Sequence, residues 1–409
     1  MVPNGWEEKS LKDICKKTIS YGIVQTGENI ENGVPCVRVV DLSKNTLNPV
    51  EMIKTSDEIH QSYKKTILCE GELMMALRGE IGLVKKVTPE LVGANITRGL
   101  ARLSPIKSVD SDYLLWTLRS NKIKNELSRK SGGSALQEIA LGSLRKVVLP
   151  IPPLPEQRKI AQILSTWDRG IATTEKLIDA SKQQKKALMQ QLLTGKKRLI
   201  DPETGKTFQG DWEEVKIKSL ITKHSEKTER SGQYPVLTSS RKGIFFQSDY
   251  YNDRDVASED TTGYNVVPRG FFTYRHMSDD LVFKFNINSL CDRGIVSTLY
   301  PVFAAKENIV VPYLLRAILN NGSEFKRFSL SQKQGGSRTY MYLSKLNELK
   351  IKIPKLKEQH KIAAVLTAAD KEIELLEAKL AHFKQEKKAL MQQLLTGKRR
   401  VKVTETEAA

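Results

Sequence analysis

The protein has 409 residues, with 66 Lys and Arg against 47 Asp and Glu, a net charge of +19. That length supports two or more domains with cores of their own, and such an excess of cations points to a polyanionic partner, nucleic acid first. Cys15, Cys36, Cys69 and Cys291 show no CxxC spacing, which excludes a zinc ribbon or disulfide frame and predicts free thiols in a reducing cytoplasm. The sequence holds no run of 18 apolar residues, and its start, MVPNGWEEKS, lacks the apolar core of a signal peptide. A cytoplasmic protein without membrane contact is expected.

Residues 1–150 read as a first module. Short strands (Val34–Leu42, Gly71–Leu77) are broken by Gly, Asn and Asp turns, and Tyr113-Leu114-Leu115 opens a short amphipathic helix. Such a pattern predicts a twisted, mostly antiparallel sheet with a few helices. Reading bases requires Arg, Lys, Asn or Gln at loop tips. Gln25, Arg78, Arg98 and Gln137 are the candidates here, and a glycine after each arginine is expected to let the backbone approach a groove.

Residues 151–200 read as a helical spacer of about 40 residues, starting at Pro155 and closed by Gly195. Stepping by four and three gives Ile160, Leu164, Trp167, Ile171, Thr174, Ile178, Ser181, Lys185, Leu188 and Leu192, a single heptad stripe. Residues 201–350 form a second module of the same kind. Its candidate DNA contacts are Arg241 and Lys242 after two serines, Arg275, Arg293, and the basic glycine loop containing Lys333, Gln334 and Arg338. Residues 351–400 form a second spacer, with Ile362, Leu366, Ala369, Ile373, Leu376, Leu380, Phe383, Lys387, Leu390 and Leu394 on its stripe, and 401–409 a tail.

The two spacers are copies. KKALMQQLLTGK occurs at Lys185–Lys196 and again at Lys387–Lys398, an offset of 202 residues that also relates Glu156-Gln157 to Glu358-Gln359 and Asp168 to Asp370. Fainter echoes reach the modules: Trp6-Glu7-Glu8 with Trp212-Glu213-Glu214, Arg98-Gly99 with Arg293-Gly294, and Gly132-Gly133-Ser134 with Gly335-Gly336-Ser337. An internal duplication follows. The expected fold is α+β: two globular α/β domains separated by two long antiparallel coiled-coil helices with pseudo-two-fold symmetry. Ile160, Leu164, Ile171 and Leu188, with Ile362, Leu366, Ile373 and Leu390, are the candidate coiled-coil core. Because Lys185 and Lys387 interrupt the stripe, its C-terminal end is expected to be open to another protein. The identical residues Gln190, Gln191, Gln392 and Gln393 lie off the stripe and are expected to meet the same partner twice. Two heads on helices of fixed length would read two short DNA sequences, with the helices as a ruler between them.

The repeated P-x-L-x-E-Q-x-K-I-A-x-x-L motif at Pro152–Leu164 and Pro354–Leu366, with the repeated KKALMQQLLTGK and the WEE and GGS anchors, resembles the specificity subunit of type I restriction–modification enzymes over essentially the whole length. The resemblance implies a subunit without catalysis of its own that reads a bipartite, asymmetric site in double-stranded DNA with an unspecified gap. It implies docking of two methyltransferase subunits, which bind S-adenosylmethionine and methylate adenine, and of restriction subunits that hydrolyse ATP with Mg. The chain itself carries no N-P-P-[FY] motif, no G-x-x-x-x-G-K-[ST] loop and no ligand spacing among its five histidines; no catalytic residue, cofactor or metal of its own is expected. The alternative is a coiled-coil adaptor whose basic modules bind nucleic acid or protein without sequence preference.

Overall fold

Both repeated stretches are uninterrupted helices of 39 residues, Leu154–Leu192 and Leu356–Leu394. Pro155 is the second residue of the first helix, where its missing N–H would have had no partner in any case. Gly195 and Gly397 take left-handed φ values of +68° and +71° just past the ends. The backbone then returns, Lys197 donating to the Gln191 carbonyl and Arg399 to that of Gln393, each at 3.2 Å. All ten heptad positions of each helix are buried or half-buried. Leucines off the stripe are not: Leu177 is 50% exposed and Leu375 61%.

This computed structural model describes residues 2–132, 137–251, 259–333 and 338–403. They divide into two compact units, Met1–Glu175 with Ala378–Ala409, and Lys176–Glu377. The boundaries of these units cut through both helices. Within the first unit the helix segments run antiparallel, Asp168 meeting Lys387 and Glu156 meeting Arg400. Within the second they do the same, Lys185 meeting Asp370 and Arg198 meeting Glu358.

In the first unit β1 (Glu7–Ser10) pairs antiparallel with β9 (Val148–Ile151). The main sheet has the order β2-β8-β5-β6, built from β2 (Ser20–Tyr21), β5 (Leu73–Ala76), β6 (Val84–Lys86) and β8 (Leu100–Leu103). A second sheet joins β3 (Val34–Val37), β4 (Ile53–Thr55) and β7 (Asn95–Ile96); β3 with β7 is the parallel pair among the described strands. The strand expected over Val34–Leu42 stops at Val37. Asp41 captures the Arg38 backbone N–H at 3.0 Å and turns Val39–Leu42 into a helical turn.

The second unit repeats the plan. Its β10 (Glu213–Lys216) pairs with β21 (Lys350–Ile353) as β1 does with β9. Three flanking two-stranded antiparallel sheets pair β12 (Leu237–Ser240) with β13 (Gly243–Phe246), β14 (Asn265–Pro268) with β18 (Arg293–Val296), and β16 (Met277–Ser278) with β20 (Thr339–Tyr340). The main sheet is β11-β19-β15-β17, from β11 (Ile221–His224), β15 (Phe272–Thr273), β17 (Asn286–Ile287) and β19 (Val302–Ala305).

Ile160 and Leu164 do not pack in a free-standing coil. They join the first module's core around Leu11, Tyr113 and Leu114, with Leu394 from the second long helix and Leu390 against it. Ile362 and Leu366 likewise join Phe272, Phe303 and Leu314 in the second unit, with Leu192 and Leu188. Ile171 and Ile373 are buried outside these clusters. No described helix is long and apolar enough to cross a membrane.

Candidate nucleic-acid interface and helix anchors

The sheet order gathers three of the four first-unit candidates at one end. Strands β2, β8 and β5 alternate in direction, so the end of β2, the start of β8 and the end of β5 lie together. The Arg98 N–H donates to the Ile23 carbonyl at 2.8 Å, and its guanidinium lies over the Tyr21 ring, 6.0 Å from the centroid. Gln25 is exposed two residues beyond Ile23. Arg78 follows β5 and pairs with Glu138 at 3.0 Å, next to the exposed Gln137.

The two glycines that follow Arg78 and Arg98 differ in their surroundings. Gly79 has φ +66° with open space around it. Gly99 is tightly packed instead: a Cβ there would lie 2.8 Å from Val39, and one on Gly294 would lie 2.3 Å from Leu237. The Arg-Gly echo between modules is thus a packing requirement. Its arginines also behave alike, Arg293 lying over the Tyr234 ring at 5.7 Å while its Nη1 donates to Glu226 at 2.7 Å.

In the second unit a cleft of about 380 Å³ brings together Arg241, Lys242 and Arg275, with Tyr250, Tyr251 and Lys284, which sequence reasoning missed. Arg241 and Lys242 are the two tip residues of the β12–β13 hairpin. Burial pushes the Lys284 ammonium below its ordinary value, helped by Arg316 and Lys185. Lys333 is exposed. Arg338 is exposed and pairs with Asp279 at 3.1 Å, and Arg241 forks onto Asp280 at 2.6 and 2.8 Å. Gln334, and the Gly335-Gly336-Ser337 stretch beside it, lie outside the described residues.

The repeated motif residues turn out to be anchors. Gln157 donates to the carbonyls of Ser108 and Pro152 and accepts from the Asp110 N–H at 2.8 Å; Gln359 donates to Ile309 and Pro354 and accepts from Val311 at 3.0 Å. Each glutamine thereby fixes a helix start to its module. Glu156 accepts both arms of the Arg400 fork at 2.7 Å, and Glu358 accepts that of Arg198 at 2.6 and 2.7 Å.

The seam lysines are paired, contrary to the open end expected of them. Within the first unit Lys387 bonds Asp168 and sits 4.4 Å from the Trp116 ring centre. Within the second, Lys185 bonds Asp370, which also accepts from the Tyr313 hydroxyl. Gln190, Gln191, Gln392 and Gln393 are exposed. Gln392 lines a first-unit cavity of about 560 Å³ whose walls include Arg119, Lys122, Lys388 and Lys398 over Ile123 and Leu395.

Burial raises the Cys15 and Cys36 thiols to about 11, leaving both neutral at pH 7. No group of three metal-binding side chains occurs among the described residues.

Comparison with known proteins agrees with this geometry. The type I restriction modification DNA specificity domain matches twice, at residues 3–183 and 209–385. The putative type I restriction enzyme MjaX specificity subunit of Methanocaldococcus jannaschii is 27% identical, the match covering 98% of this chain and 95% of that one. The EcoBI specificity subunit of Escherichia coli is 28% identical over 40% of this chain and 35% of its own. In fold, the HsdS subunit from Thermoanaerobacter tengcongensis superposes with a TM-score of 0.51 at 16% identity, covering 97% of this chain and 98% of that one. The S subunit of a type I restriction-modification system from M. genitalium does so with 0.54 at 13%, at the same coverage. With two copies of the specificity domain on two repeated helices, the chain belongs to the type I restriction–modification specificity subunits, which serve DNA sequence recognition and not catalysis.

Proposed function

We propose that the two units read the two halves of a bipartite, asymmetric site in double-stranded DNA. The first would do so through Gln25, Arg78, Arg98 and Gln137. The second would use the Arg241–Lys242 hairpin tip, Arg275, Lys333, Gln334 and Arg338, with Arg293 as a phosphate contact. The observation that carries this reading is that each unit gathers cations in one place, Arg78 and Arg98 beside Gln25 and Gln137 in the first and Arg241, Lys242 and Arg275 around one cleft in the second, and the two sets differ. Two heads that share a fold and differ at one end are what two unlike half-sites require.

The exposed Gln190-Gln191 and Gln392-Gln393 pairs would dock two methyltransferase subunits. The cationic walls and apolar floor beside Gln392 fit a partner segment that is acidic and amphipathic. Restriction subunits would join that assembly. S-adenosylmethionine, ATP and Mg would belong to these partners.

Adenine-methylation mapping in a host expressing this chain with its neighbouring methyltransferase gene tests the reading. One asymmetric two-part motif, lost when this chain is omitted, is expected. Methylation unaffected by the chain, with the methyltransferase expressed and bound, would instead favour an adaptor without sequence preference.

A further inference from the structure

Asp279 and Asp280 are the part of the second unit's interface that base reading does not explain. Both are exposed and follow β16 directly. The β16–β20 register sets Met277 opposite Tyr340 and Ser278 opposite Thr339, which carries Asp279 across from Arg338. The Arg338 Nε donates to its Oδ1 at 3.1 Å. The Arg241 Nη1 and Nη2 donate to the two oxygens of Asp280 at 2.8 and 2.6 Å. So two cations expected to touch DNA are held by two consecutive carboxylates of one turn.

That turn is built to present them. The Asp280 Oδ1 also accepts from the Ser278 hydroxyl at 2.9 Å and the Val282 N–H at 3.2 Å. The next residue, Leu281, has φ +65°, a left-handed conformation that a side chain other than glycine seldom adopts. A carboxylate offers a guanidinium the same two-oxygen face that a phosphate does.

We propose that Asp279 and Asp280 act as an internal phosphate mimic, occupying Arg338 and Arg241 until DNA displaces them, a cost that only the added base bonds of the cognate half-site outweigh. The proposal rests on the reading of the second unit as a DNA-binding head. Random DNA offers these arginines mainly phosphate, so it exchanges one anion for another with little net gain. A guanine edge adds paired hydrogen bonds that the carboxylate cannot match. The two negative charges also repel any approaching backbone, a built-in penalty that base contacts must overcome.

The test uses the full chain in complex with its methyltransferase partner. Asp279→Asn and Asp280→Asn keep shape and remove charge. Binding is measured by fluorescence anisotropy across a salt series, to a scrambled duplex and to a duplex carrying the motif that the wild type methylates. Each variant is expected to gain about five- to tenfold on the scrambled duplex, to steepen its log–log salt slope by about 0.9, and to gain at least as much on the cognate duplex, where the wild type must also give up the carboxylate. Glu348→Gln is the control. It removes an equal charge from a pair with Lys216 at 2.7 Å in the same unit, and it should change neither duplex. Unchanged binding to scrambled DNA, a smaller gain on the cognate duplex than on the scrambled one, or an equal gain in Glu348→Gln overturns the proposal. If the wild type methylates no confined motif, the two-head reading fails on that result alone, and the scrambled duplex still decides the role of the two aspartates.

Discussion

Glu156 and Glu358 sit at the start of the two long helices with only 4% and 2% of their side chains exposed, each under the fork of an arginine from beyond the end of the other helix. The two sites are not energetically equal. The Trp6 indole N–H also donates to Glu156 at 3.1 Å, whereas that of Trp212, its sequence echo, is buried without a partner among the described residues. Removing one side of a buried pair strands the other, at a cost of several kcal/mol. Arg198→Ala is therefore expected to destabilise the second unit by about 3–4 kcal/mol. Arg400→Ala should cost the first unit about 2 kcal/mol, because its fork is half-exposed and Trp6 remains on Glu156. Urea unfolding of the full chain checks the order, and equal losses would show that the Trp6 bond contributes nothing. The Glu-Gln pair was legible in the sequence as a repeated motif, but its reason was not. The arginines that explain it lie 160 and 244 residues away.

At the scale of the element, the long helices were the most legible part of the chain, because a heptad stripe is a local property that survives in any context giving the helix an apolar partner. Leu366 on the stripe is fully buried, whereas Leu375 off it is 61% exposed. Leu366→Ala should cost about 2–5 kcal/mol, and Leu375→Ala less than about 0.5 kcal/mol. Comparable losses in calorimetry would mean that the stripe is not what holds the second unit together. The seam lysines were misread for the converse reason. A charge on an apolar stripe reads as its end when the strand of chain that neutralises it is distant, yet Asp168 and Asp370 already stood in the repeat at the same 202-residue offset. The sheets were legible only as a class. Strands of two to four residues, such as Phe272–Thr273, carry too little pattern to fix register. Register is nevertheless what sets Arg338 opposite Asp279.

At the scale of the whole molecule, each long helix belongs to both units, and the units divide after Glu175 on one helix and after Glu377 on the other. A heptad inserted at both points leaves the helix segments within each unit in their present phase, since seven residues make very nearly two turns. The anchors within each unit, Glu156 with Arg400 and Glu358 with Arg198, stay in place. What changes is the length of helix between the anchored ends, by about 10 Å at 1.5 Å per residue. If helix length is the ruler, that rise corresponds to about three base pairs. The methylated motif should then keep both half-sites and widen its gap by about three positions, read by methylation mapping of cells carrying the doubly extended chain. A heptad in one helix alone shifts one partner of every cross-helix pair past the insertion, and methylation should be lost. An unchanged gap in the doubly extended chain would mean that the DNA or the docked partners, not the helices, set the spacing.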